Sequence, residues 1–204
     1  MKFIISIIYL SIFLNIAFSS SIHNYVKTEV YQLEDNECLG DVVVTQYRVS
    51  GSCDTTGYRT LSCSLGSNTI TIDSYDGTGC TGNYSTSTVD INSCLVNGKN
   101  YKYSCSADYE MGTNSLVSFL TNGSCPNSNP DWKSDIVQIS YYNLNTCIQS
   151  VLGSTETTDC NSNSFTESLY LSSEKCTTSV WSHSVPFPEC KEFQGTPSVM
   201  YCNK

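Results

Sequence analysis

The sequence predicts an all-β, disulfide-stapled fold, and three observations carry that reading. Beyond residue 19 the chain holds a single alanine, Ala107, while serine and threonine make up about a quarter of it, a composition that disfavours helix and suits strands and turns. Apolar and polar residues alternate with a period of two in one stretch after another. Twelve cysteines supply the cross-links that small β cores need.

In chain order, the first element is a leader. Lys2 is a positive start, Phe3 to Phe18 is apolar, and Ala17-Phe18-Ser19 places small residues where a signal peptidase cuts. Residues 1–19 are therefore read as a secretory signal peptide, with cleavage before Ser20. No later apolar stretch is long enough for a membrane span, and the C-terminal "SVMYCNK" is too polar for a lipid-anchor signal. The expected location is extracellular, as a secreted protein.

The strands follow. "VVVTQYRV", "NTITIDSY", "NYKYSCS", "SLVSFLT" and "DIVQISYY" alternate as half-buried strands do. Between them "LGSN", "DGTG", "VNGK" and "MGTN" are turn signals, with glycine free to take positive φ.

The cysteines impose a longer period. They fall into four groups of three: Cys38, Cys53, Cys63; Cys80, Cys94, Cys105; Cys125, Cys147, Cys160; and Cys176, Cys190, Cys202. The spacing gives four repeats of about 42 residues, each short of a core of its own. "ECLGD" matches "GCTGN", and "LSCSLG" matches "YSCSAD". Across larger distances "DVVVTQYRVSGSC" aligns without gaps on "DIVQISYYNLNTC", matching Asp41, Val43, Tyr47 and Cys53 to Asp135, Val137, Tyr141 and Cys147. "VYQLEDNEC" likewise aligns on "VSFLTNGSC". The expected architecture is two tandem antiparallel β-sandwich-like domains, residues 24–110 and 111–204, with "SADYEMGTN" at the boundary. One continuous elongated array is the alternative.

An even cysteine count in an exported chain reads as six disulfides. Three cysteines cannot all pair within one repeat, so at least two bridges must join repeats. The symmetric choice pairs Cys63 with Cys105 and Cys160 with Cys202 as inter-sheet staples. The remaining pairs are then local, such as Cys38 with Cys53 and Cys80 with Cys94.

A short leader, then repeats of the form Y-D-x-x-C-x-G followed by a strand and two more cysteines, resembles a class of small secreted cysteine-rich tandem-repeat proteins of social amoebae. The resemblance covers the whole chain after the leader, although repeats three and four lack the glycine. It implies secretion and an all-β disulfide fold, and it carries no catalytic residues over.

Several functions are argued against. Gly77, Gly79 and Gly82 spell G-x-G-x-x-G, but "NYSTSTVDINSC" follows where a dinucleotide site needs a helix. The formal charge of −9, or −10 once Lys2 leaves, repels phosphate backbones and so argues against nucleic acid. Metal and cofactor sites are not expected: no C-x-x-C pair exists and the histidines are His23 and His183 alone. His183 is read as a surface or turn residue, without the partners of a serine triad.

The favoured function is an extracellular binding, adhesion or matrix module, its partner a glycan or a protein. Trp132 and Trp181 are the binding candidates, each lying between the first and second cysteines of its repeat. Trp132 sits in the longer loop "PNSNPDWKSD", and loops on rigid β scaffolds often carry recognition. The competing role for each is to plug a small core. Asn83 and Asn122 head N-x-S sequons and are read as glycosylation sites, with Asn92 and Asn145 weaker acceptors. The alternative function is a small secreted hydrolase, glycosidase-like, using paired carboxylates such as Asp73 with Asp76 or Glu156 with Asp159.

Overall fold

A computed structural model describes residues 24–97, 99–121, 135–150, 153–171, 176–187, 191–193 and 196–204. Residues 1–19, the expected leader, lie outside them. The described residues form fifteen strands and no α-helix. The first half holds β1 (Tyr25–Tyr31), β2 (Val42–Val49), β3 (Arg59–Ser62), β4 (Thr69–Gly77), β5 (Thr81–Asp90), β6 (Leu95–Val96) and β7 (Asn100–Ser106). The second holds β8 (Ser115–Thr121), β9 (Ile136–Asn143), β10 (Ile148–Ser150), β11 (Gly153–Thr158), β12 (Ser164–Tyr170), β13 (Trp181–Pro186), β14 (Lys191–Phe193) and β15 (Thr196–Asn203). All five stretches with clear alternation are strands: β2, β4, β7, β8 and β9.

The strands form an eight-stranded sheet, β14-β15-β8-β9-β2-β1-β7-β6, a four-stranded sheet, β10-β11-β12-β13, and a three-stranded sheet, β3-β4-β5. The large sheet reads the same from either end when each strand is replaced by its counterpart. Its middle is the antiparallel β2–β9 pair, where Gln46 faces Ser140, Val44 faces Tyr142 and Arg48 faces Gln138. In the gapless match of the two halves Gln46 corresponds to Ser140, so a pseudo-two-fold axis passes between them. Bulges recur at equivalent places, after Val30 in β1 and after Leu120 in β8.

That register corrects one sequence alignment. Matching "VYQLEDNEC" to "VSFLTNGSC" puts Val30 on Val117, but the ladders make Leu120 the counterpart of Val30. The offset is three residues, an odd number, and an odd slip moves every side chain to the other face of a sheet. The strands around the first group of three cysteines are divided between sheets: β1 and β2 join the large sheet while β3 joins the small one. The expected pair of separate sandwiches differs from this arrangement, because β2–β9 pairing runs one sheet through both halves.

Both small sheets pack on the same face of the large one. Val26 of β1 meets Leu61 and Ile70 of the three-stranded sheet. Leu116 of β8 meets Phe165 of the four-stranded sheet, with Met200 and Cys202 beside them. The opposite face is aromatic: Tyr47 and Tyr141, counterparts in the two halves, meet edge to face at 6.0 Å, beside Val117, Phe119 and Ile139.

Five disulfides are described: Cys38–Cys94, Cys53–Cys80, Cys63–Cys105, Cys147–Cys176 and Cys160–Cys202. Cys125 and Cys190 lie outside the described residues. The expected staples, Cys63–Cys105 and Cys160–Cys202, join a small sheet to the large one. The expected local pairs are wrong. Cys38 and Cys53 flank β2, and an eight-residue strand spans about 26 Å, far beyond the roughly 4.4–6.8 Å between Cα atoms that a disulfide allows. Cys80 and Cys94 flank β5 in the same way. Each instead reaches a cysteine of the next group of three, Cys38 to Cys94 and Cys53 to Cys80. Every described bridge nevertheless stays within its own half. A shared local turn marks the second cysteine: Gly51, Asn92 and Asn145, each two residues before it, all take positive φ.

The turn after Cys53 offers a first prediction. The Asp54 carboxylate accepts bonds from the Thr56 hydroxyl and from the amides of Tyr58 and Arg59. Burial pushes its pKa up, but these bonds and the Arg48 charge outweigh that and hold it below the usual range. A carboxyl depressed in the folded state stabilises above its unfolded pKa of about 3.9, and loses that contribution as pH falls through the folded value. Asp54→Asn should therefore lower the urea midpoint at neutral pH, and the gap to the parent should close on acidification. A gap that persists where the folded-state Asp54 carboxyl is itself protonated, as followed by its own titration, would show that the charge is not the cause.

Candidate functional site

A cleft of about 640 Å³ opens between the large sheet and the four-stranded sheet, within the roughly 300–1,000 Å³ typical of small-molecule sites. Strand register explains its lining. Residues directly opposite in adjacent strands share a face. One such row is Tyr101–Val30–Val44–Tyr142–Leu116, and the next is Tyr103–Thr28–Gln46 continuing to Met200. Both rows supply the floor. Two rows of the four-stranded sheet supply the facing wall. One begins with Ile148 and Thr155, the other with Thr157 and Glu167.

Those wall rows run on to the edge strand β13. Thr155 faces Leu169, which faces Trp181, while Glu167 faces His183. Trp181 and His183 therefore extend the same sheet face that walls the cleft. Their rings lie against each other, 3.8 Å between centroids and tilted by 32°, and Trp181 is 50% exposed. His183 is half-buried within a strand, with Nδ1 buried and unpartnered. His183 thus lies in an edge strand rather than a turn, and cross-strand register puts it on the sheet face that walls the cleft.

The cleft lining carries no net charge. Burial, helped by neighbouring Tyr101, pushes the Tyr103 hydroxyl up to about 12. Burial also raises Tyr142, with the Glu167 charge adding to the effect. Both remain protonated phenols, able to donate or accept. Lys99 and Glu167 are the charged members, one of each sign. The two halves meet at one end, where the Gln32 amide donates to the Cys147 carbonyl and the Leu33 amide donates to Gln149 Oε1. Tyr101 and Tyr103 of β7 have no tyrosine counterparts across the axis, where Ser198 and Met200 of β15 stand in their places.

The other sequence candidates are placed as follows. Gly77, Gly79 and Gly82 make the β4–β5 hairpin, and a strand follows them rather than a helix. Gly82 has φ +86°, and a Cβ there would fall on the Asp76 carboxylate. Cys80 sits in this turn because it bridges to Cys53. The carboxylate pairs serve local structure. Asp73 accepts from Thr86, Asp76 from Asn83, and Glu156 from the Tyr170 hydroxyl. Glu167 is the one carboxylate lining the cleft among the described residues, whereas glycoside hydrolysis ordinarily takes two. No group of three or more potential metal ligands occurs among the described residues, and no helix there is long and apolar enough to cross a membrane. Asn83 is exposed on β5. Trp132 and Asn122 lie outside the described residues.

Sequence reasoning missed Gln46, Tyr101 and Tyr103. The alternation in "NYKYSCS" puts the two tyrosines on one face, but the wall opposite them comes from residues more than 40 positions further along the chain.

The whole chain, residues 1–204, matches the family model described as counting factor-associated protein A/B/C, a Dictyostelium family. This agrees with the resemblance to social-amoeba proteins. No curated protein and no solved structure matches the chain.

Proposed function

The chain belongs to the counting factor-associated protein A/B/C family, and we propose that it is a secreted binding module whose ligand site is the cleft between the sheets. The observation that carries this reading is the continuity of the wall rows with Trp181. A half-exposed tryptophan on the sheet face that walls the cleft, two strands beyond Thr155, has no evident role in the core. Large aromatic groups in such positions are common binding anchors. Multiple disulfides fit an extracellular protein, since such bonds persist in oxidising compartments. Residues 1–19 would direct export, and Asn83, exposed on β5, would carry an N-linked glycan away from the cleft.

Trp181→Ala tests the reading. Because the side chain is half-exposed on an edge strand, the substitution should cost at most about 1 kcal/mol in urea unfolding. Capture of extracellular material by the immobilised protein should fall sharply. If stability falls by the roughly 3–5 kcal/mol typical of a buried tryptophan, Trp181 is a core residue and the proposal fails. Unchanged capture would equally remove Trp181 from the site.

A further inference from the structure

Resting on that reading, we propose that the cleft binds a short oligosaccharide of neutral sugars, with a ring face stacked on Trp181. Sugars present two chemistries at once: apolar C–H faces and a rim of hydroxyls. Aromatic rings suit the first, and neutral amides and hydroxyls suit the second. The cleft offers both. Tyr101 and Tyr103 lie in the floor, with Thr28 and Gln46 in the same rows. Thr155 and Thr157 face them from the wall. Beyond Thr155 the row ends at the exposed Trp181 ring, held against His183.

Other ligand classes fit less well. A lipid tail needs a continuous apolar lining, and removing the polar groups of Thr28, Gln46, Thr155 and Thr157 from water against it would be costly. A phosphate-bearing ligand meets only Lys99 of positive charge in the lining, in a chain of formal charge −9. A peptide strand adds to sheet edges through backbone hydrogen bonds. The cleft walls are sheet faces, so no such ladder is on offer. One Lys99 and one Glu167 leave the lining without net charge, which favours neutral over acidic glycans.

The test uses the full secreted chain and three probes: the β-1,4-linked trimers of glucose and of N-acetylglucosamine, and an α-linked mannose trimer. Saturation-transfer NMR and titration calorimetry should detect at least one. Gln46→Ala and Trp181→Ala, at an unchanged melting temperature, should each weaken that probe about ten-fold or more, the effect of losing roughly 1.4 kcal/mol of contact. If a variant misfolds, the unaltered protein still decides: the indole N–H resonance of Trp181 should shift on titration. No binding of any trimer, binding indifferent to both substitutions, an unmoved Trp181 resonance, or stronger binding of a sulfated trimer would overturn the proposal. Periodate treatment of captured extracellular material separates this idea from the broader one. Capture that needs Trp181 but survives periodate would sink the sugar ligand and leave the binding cleft standing.

Discussion

Replacing Cys63 and Cys105 together by serine should lower the unfolding free energy by about 4 kcal/mol, the chain-entropy value for a loop of 42 residues. That is a large part of the roughly 5–15 kcal/mol by which ordinary domains are stable. Position should add to loop length here. Cys63 closes β3 in the small sheet and Cys105 lies in β7 of the large one, beside the cluster of Val26, Leu61 and Ile70. Without the bridge, that cluster and a few hydrogen bonds, such as those from the Gly51 amide to the Leu61 carbonyl and from the Asn92 amide to the Tyr103 carbonyl, are left to hold the three-stranded sheet down. The variant should therefore show faster amide exchange in β3, β4 and β5 than in β8 and β9. A loss below about 1 kcal/mol would mean that apolar packing alone secures the sheet, and that the staple is redundant. The remaining bridges serve as the control: peptide mapping of the variant without reduction should still return Cys38–Cys94, Cys53–Cys80, Cys147–Cys176 and Cys160–Cys202.

Much of this fold is legible in the sequence, and the limits of that legibility are physical. Strands whose residues alternate apolar and polar announce themselves, as β2, β7 and β8 do in "VVVTQYRV", "NYKYSCS" and "SLVSFLT", even though β8 is buried along its whole length. β5 does not, because it is exposed along nearly its whole length and its residues, "TGNYSTSTVD", have no apolar face to alternate. The staples follow from parity and symmetry. The local pairs fail because a strand holds the cysteines at its two ends apart, a distance that spacing in sequence does not reveal. The cleft is the deepest gap. Its floor comes from β1, β2, β7, β8, β9 and β15 and its wall from β10, β11 and β12, so no contiguous stretch carries its signature. Trp181 can be singled out as a large aromatic between two cysteines. Only the register Thr155–Leu169–Trp181 ties it to the cleft.

Ile139→Ala should cost about 2–5 kcal/mol, the range for deleting a buried isoleucine side chain, and the loss should be felt in both halves of the chain. Ile139 is fully buried on β9 and faces Tyr47 of β2 on one side and Phe119 of β8 on the other. Its cluster is drawn from both halves: Tyr25 and Tyr47 from the first, Val117, Phe119 and Tyr141 from the second. A cavity there loosens the β2–β9 junction from the aromatic face, while Arg48 and Gln138 hold the same junction from the other face at 2.8 Å. Two domains joined by a linker would unfold in two steps, and damage at Ile139 would stay within residues 111–204. A single sheet crossing the boundary gives the opposite result. Thermal unfolding should remain one transition at a lower temperature, and amide exchange should accelerate in β1 and β2 together with β8 and β9. Two separated transitions, with protection in β1 and β2 unchanged, would restore the reading of two independent domains. They would also make the β2–β9 pair a contact between finished units rather than the seam along which the halves fold as one.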